Sequence, residues 1–145
     1  MAEAETKKEP VSLASLMTPS KTVRIDYPDC EGFVISLTHL AREELLKLRK
    51  KCLTTRWDKK TRQPIEELDD DKFLVEYCNS VIKSWEGLKY RYLEELLLVD
   101  VSKYDLEDCL PYTAENAELL MKNGADFDTW VTETVGDLEN FTRNK

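Results

Sequence analysis

Apolar and polar residues alternate twice near the start of the chain. Val23, Ile25 and Tyr27 fall on one side and Thr22, Arg24 and Asp26 on the other; Phe33, Ile35 and Leu37 repeat the pattern. Pro28-Asp-Cys-Glu-Gly32 between them carries turn residues, so the two runs predict a β-hairpin. A lone hairpin is marginal in water, so this one must pack on helices or pair with a further strand. Downstream the apolar period becomes helical. Ala41, Leu45, Leu48 and Cys52 predict a helix capped by Thr38, with Glu43 and Glu44 early and Lys47, Arg49, Lys50 and Lys51 late, as the helix dipole favours. It fades at Thr54-Thr55, and Trp57 to Leu68 reads as a charged loop containing Pro64. Asp69, Asp70 and Asp71 then supply a cap and negative charge for the clearest stripe in the chain: Phe73, Leu74, Tyr77, Cys78, Val81, Ile82 and Trp85. Gly87 sits where a left-handed residue would end that helix, and Leu88 can fold back on its last turn. Trp85 is therefore expected to plug the core from the end of the helix.

Lys89 to Val99 predicts a short helix or turn rich in leucine, with Leu93, Leu96, Leu97 and Leu98, and the stretch from Asp100 to Pro111 is irregular. Thr113 caps a short helix lined by Ala117, Leu120 and Met121 and ended by Asn123-Gly124. Asp126 caps the last helix, whose stripe runs through Phe127, Trp130, Val131, Thr134, Val135, Leu138 and Phe141. Ahead of these elements, residues 1–20 read as a flexible arm, polar and broken by Pro10 and Pro19, with 21–145 as a single domain. Within the arm, Leu13, Leu16 and Met17 stand at i, i+3 and i+4, too short a pattern to fold alone. They are either a docking turn that orders on a partner or scattered apolar residues. The expected fold class is α+β, predominantly α-helical, with an N-terminal β-hairpin packed on a small helical bundle.

Composition narrows the function. A chain of 145 residues with 41% hydrophobic content suits one domain with one core. The formal net charge of -8 disfavours a general nucleic-acid binder, which needs clustered cations to neutralise phosphate. The charge is uneven: Arg42 to Arg62 is basic and the chain from Glu94 onward is acidic. The two halves either neutralise each other side by side, or the basic face meets an acidic partner or a second copy of the chain. Cys30, Cys52, Cys78 and Cys109 include no CxxC pair, so reduced and mostly buried thiols are expected rather than a zinc site. The N-terminus has no apolar core of signal-peptide length, and the longest apolar run, Leu96 to Val99, is far from a membrane span. A cytosolic protein without membrane contact is expected.

Catalytic chemistry finds few candidates. The single histidine, His39, has no evident nucleophile or acid partner, and the scattered glycines form no phosphate-binding loop. Asp69-Asp70-Asp71 lacks the ligand spacing of an EF-hand and is better explained by capping. No enzyme, cofactor or metal is expected; the enzymatic alternative is a metal-dependent nuclease using Asp70 and His39.

From Val81 to its end the chain resembles the tail assembly chaperones of long-tailed bacteriophages. Three ordered pieces carry the resemblance. Val81-Ile-Lys-Ser-Trp85-Glu-Gly87-Leu88 is similar to the family's helix ending in Trp-x-Gly-aliphatic. Leu110-Pro111-Tyr-Thr113-Ala-Glu-Asn-Ala117 is similar to its proline-aromatic-Ser/Thr step into a short helix. Phe127-Asp-Thr-Trp130-Val131, closed by Leu138 and Phe141, is similar to its last helix. The Leu-rich segment from Lys89 to Val99 departs from the short Asp/Gly turn of many relatives. The resemblance implies a non-catalytic protein of the host cell cytoplasm. It would bind the tape measure protein, keep that protein's apolar stripes soluble, and leave as tail tube protein is added; self-association is also compatible with it. It implies that Trp85, Gly87, Leu88, Pro111, Thr113, Phe127, Trp130 and Phe141 are structural markers. Leu13, Leu16, Met17, Leu93, Leu96 and Leu97 are the candidates for partner contact. The alternative is a structural tail component, such as a tail completion or minor tail protein, retained in the virion.

Overall fold

The computed structural model describes residues 11–18 and 20–142. Met1 to Pro10 of the expected arm, Pro19 and residues 143–145 lie outside them. The described part of the arm holds one helical turn, α1 (Leu13–Leu16), capped by the Ser12 side chain.

The expected hairpin forms from β1 (Ser20–Asp26) and β2 (Val34–Leu40), paired antiparallel with Val23 opposite Leu37 and Ile25 opposite Ile35. It does not stand alone. β5 (Ile82–Glu86) pairs antiparallel with the other edge of β2, giving a three-stranded sheet of order β1-β2-β5. A second antiparallel pair, β3 (Leu53–Asp58) with β4 (Gln63–Leu68), forms where a charged loop was expected. Helical predominance with a single hairpin is therefore incorrect: the chain is a mixed α+β fold with seven helices and five strands in two antiparallel sheets among the described residues.

Both corrections have physical causes. The stripe that reads as one helix through Trp85 divides at Val81, where α3 (Asp70–Val81) stops and β5 begins. Leu37 pairs with Ile82 while Ser36 pairs with Ser84, so Lys83 is an extra residue in β5. That β-bulge brings Ile82 and Trp85, three apart, onto the same buried face, and it imitates helical spacing. The second pair hides for a different reason. Most of its residues on both faces are exposed, so it shows no apolar alternation, and only its β-prone Thr54-Thr55-Arg56-Trp57 hints at a strand.

In chain order α2 (Arg42–Lys51) lies between β2 and β3 and α3 between β4 and β5; α4 (Tyr90–Leu96), α5 (Ala114–Asn123), α6 (Ala125–Gly136) and α7 (Glu139–Thr142) follow β5. Asp69 caps α3 by accepting from the Lys72 amide at 3.1 Å, and Thr113 caps α5 by accepting from the Asn116 amide at 3.0 Å. Two expected caps differ. Thr38 lies within β2, where its hydroxyl meets that of Thr22 at 2.7 Å, and Ala41 precedes α2 without a side-chain cap. Gly124 precedes α6, which leaves Asp126 and Asp128 in the first turn. The last stripe is also broken: α6 ends at Gly136, and Phe141 returns to the core from the separate α7.

The core lies between the inner face of the three-stranded sheet and helices α3 to α7. Phe33, Ile35 and Leu37 of the β2 region meet Val81, Ile82, Leu88, Leu120, Phe127 and Val131, all essentially free of solvent. Tyr27 joins the aromatic group, with its ring 5.4 Å from Phe33, 5.7 Å from Phe127 and 4.7 Å from Trp130.

Candidate functional site

The marker residues of the sequence lie in this core or at its joints. Trp85 is 7% exposed, packs edge-on against Phe33 and Tyr112, and donates its indole N–H to the Leu110 carbonyl at 3.0 Å. Gly87, with φ of 78°, follows β5 rather than a helix. Leu88 is fully buried, and its carbonyl accepts from the Leu110 amide at 2.8 Å, tying the Trp-x-Gly piece to the proline step. Pro111 is exposed, and its carbonyl accepts from the Asn116 side chain. Phe127 is buried and Trp130 half-buried; Phe141 is buried with its ring 5.2 Å from that of His39.

The expected contact residues do not form one surface. Leu93 is buried, and Leu96 and Leu97 are half-buried against the core, so these three face inward. Leu98 alone of the leucine run stands fully in solvent. In the arm, by contrast, Leu13, Leu16 and Met17 are 70%, 65% and 57% exposed.

A deep concavity lies elsewhere, between α2, α3 and α6, with a volume of about 750 Å³. Each helix gives it one face. Arg42, Leu45 and Arg49 come from α2; Asp70, Phe73, Leu74 and Tyr77 from α3; Asp128, Thr132 and Val135 from α6, all at spacings of three or four. His39 and Leu40 at the end of β2, Met121 of α5, Gly136 at the end of α6 and Leu138 just after it complete the lining. The floor and walls are mainly apolar. Charge of one sign lines each side: Arg42 and Arg49 on α2, Asp70 and Asp128 on the facing helices.

Polar groups inside the cleft are occupied. His39 Nδ1 lies 2.7 Å from the Val135 carbonyl, which can only accept, so Nδ1 carries a proton. Thr132 donates to the Asp128 carboxylate at 3.3 Å. Burial pushes the Tyr77 hydroxyl above its usual pKa, the charge of Asp128 adds to this, and a hydrogen bond with Thr132 opposes it. Arg49 lies 5.8 Å from the centre of the Phe73 ring, holding its charge over an aromatic face. No group of three or more metal-ligating side chains occurs among the described residues. His39 Nδ1 is engaged by a backbone carbonyl. An apolar trough with charged rims has the chemistry that one face of an amphipathic helix would complement.

Of these lining residues the sequence singled out only His39 and Asp70, and those for an enzymatic alternative; the cleft itself was not evident. A signal was present in the breadth of the α3 stripe. Cys78 and Val81 face the core, whereas Phe73, Leu74 and Tyr77 are only partly buried and turn towards the cleft. A helix whose apolar arc exceeds what one core contact needs has a second surface to cover.

Compared with protein-family models, curated proteins and solved structures, the chain has no match in any of the three. No helix among the described residues is long and apolar enough to cross a membrane.

Proposed function

We propose that this chain is a non-catalytic tail assembly chaperone of a long-tailed phage, acting in the host cell cytoplasm by holding helical segments of the tape measure protein. The observation that carries the proposal is the apolar cleft between α2, α3 and α6, with opposite charge on its two sides. The resemblance of the three ordered sequence motifs supports the reading, and the cleft offers a physical means.

A tape measure helix exposes a continuous apolar stripe that drives aggregation in water. Laid in the cleft, its residues at i, i+3 or i+4 and i+7 would meet Leu40, Leu45, Phe73, Leu74, Val135 and Leu138. Acidic residues on one flank would face Arg42 and Arg49, and basic residues on the other would face Asp70 and Asp128. The net charge of -8 would keep the coated complex soluble, and tail tube protein would displace the chaperone as the tube grows.

Co-expression with the tape measure protein of the same genome tests this. The expected result is a soluble complex that co-purifies. A tape measure protein equally soluble alone, with no complex, overturns the proposal. Mass spectrometry of purified particles separates a chaperone, absent from the virion, from a structural tail component present at fixed copy number.

A further inference from the structure

The cleft has a resident neighbour. Strand register pairs Ser20 with Leu40 and Lys21 with His39, and both Leu40 and His39 line the cleft. The chain therefore enters the sheet at the cleft's own rim. Running backwards from Ser20, only Thr18 and Pro19 separate the strand from Met17. Three residues of extended chain reach about 10 Å, so Met17 can contact the cleft mouth without any strand unpairing. Leu138, 56% exposed, stands in the cleft lining, and α7, which follows it, packs beside β1.

The segment has the chemistry of a ligand for this site. Leu13, Leu16 and Met17 form a short apolar stripe on α1 and its C-terminal cap, and all three are left in solvent. Val11, 63% exposed, extends the apolar surface. Four exposed apolar side chains on one short segment gain by covering themselves, and the strand register brings the cleft rim within three residues of Met17.

We infer that residues 11–18 are an internal occupant of the cleft, a tethered segment that exchanges between the exposed position and the cleft and competes there with the partner helix. The inference rests on the cleft being the partner site. Tethering gives the arm an effective concentration in the millimolar range, so weak intrinsic binding suffices to fill the site for much of the time. The competition is useful to a chaperone. It covers the apolar cleft when no client is present and lowers the cost of client release, because the arm returns as the client leaves.

Two measurements test this on the full chain. In the first, a spin label is placed at Met17→Cys in a Cys109→Ser background, and methyl signals are recorded by NMR. Broadening at Met121, Leu74 and Val135 that is independent of protein concentration and is lost with Leu13→Asp/Leu16→Asp is the expected result; broadening that survives those changes overturns it. No broadening there, or broadening only in mixtures where label and isotope sit on different copies, overturns it. In the second, a helical segment of the tape measure protein is titrated into the intact chain, into the chain lacking residues 1–18, and into Leu13→Asp/Leu16→Asp/Met17→Asp. A competing arm at these effective concentrations predicts that both altered proteins bind about threefold or more tighter than the intact chain. Equal or weaker binding overturns the inference. Leu138→Glu separates this from the site itself: if it abolishes segment binding while arm removal changes nothing, the cleft stands and the arm proposal falls. If it leaves binding unchanged, both fall.

Discussion

The backbone of Gly87 lies directly against the carbonyl of Gly32: a Cβ at Gly87 would meet that oxygen at 1.9 Å and its carbon at 2.7 Å. The contact locks the turn after β5 onto the turn that precedes β2, at the point where two strands enter the same sheet. Gly87 is thus required twice, by its φ of 78° and by the space it leaves. Gly87→Ala meets backbone, which cannot rotate away, so a loss of about 3 kcal/mol or more is expected from strain and displacement together. Urea denaturation measures it; a loss under about 1 kcal/mol would show that the two turns separate easily.

Trp85 joins the sheet to the proline step through one hydrogen bond and two aromatic contacts. Trp85→Phe keeps most of the apolar surface but leaves the Leu110 carbonyl without its donor, which is expected to cost about 1–2 kcal/mol. Trp85→Ala opens a cavity between Phe33 and Tyr112 and is expected to cost about 3–5 kcal/mol. Equal effects for the two substitutions in denaturant melts would mean that the indole N–H, and not the ring, carries the contribution.

Burial pushes the Cys78 thiol up to about 12 from 9.0, with Glu118 and Asp128 adding to the shift. Tyr27, Tyr77 and Tyr112 are raised in the same direction, each mainly by burial. All four favour the protonated form in the folded state. Their contribution is fully present below pH 9 and is lost as pH rises through the folded values, because the unfolded chain releases these protons first. The urea midpoint should therefore fall between pH 9 and pH 12, and Cys78→Ala should flatten the fall. At pH 8 a thiol reagent should label Cys109 rapidly and the buried Cys30, Cys52 and Cys78 only on unfolding. Four rapidly labelled thiols would contradict the burial.

Arg62 occupies the left-handed region, with φ of 58°, in the loop between β3 and β4. Its amide donates to the Asp58 carbonyl at 2.7 Å, and the Asp58 carboxylate accepts from the Lys60 amide and the Thr61 hydroxyl. Those bonds hold the turn without a glycine. Arg62→Gly removes the Cβ penalty, offset in part by the entropy of glycine in the unfolded chain, so a gain of about 0.5–1 kcal/mol is expected. A loss in thermal melts would mean that the arginine side chain itself stabilises the pair.

The β1–β2 pair and the capped starts of α3 and α5 were legible because their signals are local: alternation, turn residues and cap side chains act within a few positions. β5 was not, because a bulge at Lys83 places Ile82 and Trp85 at a helical interval. The β3–β4 pair was not, because strands with most residues in solvent on both faces need no apolar alternation. Leu93, Leu96 and Leu97 look like a free surface in one dimension, but α4 turns them towards the core that Phe127 and Leu88 share. The cleft was hidden because its lining comes from elements as distant as Leu40 and Leu138, and only the fold decides that their part-buried faces meet.

The cleft makes the last prediction, because stability and binding separate there. Leu138 is 56% exposed yet stands in the lining, so Leu138→Glu adds charge without removing core contacts. Its effect on unfolding should stay within about 0.5 kcal/mol. In the complex, however, the same carboxylate would be buried against the client's apolar stripe without a partner, a penalty of several kcal/mol. Under the proposed function, tape measure binding should therefore weaken by about tenfold or more, a drop that 1.4 kcal/mol already produces. Phe73→Ala should lower both quantities, because Phe73 stacks on Tyr77 and lies under Arg49 as well as lining the cleft. Arg49→Glu should weaken binding to a client with acidic residues on the facing flank, and a matching charge reversal in the client should restore it. If the two reversals act independently, the client does not lie along the rim that Arg42 and Arg49 form.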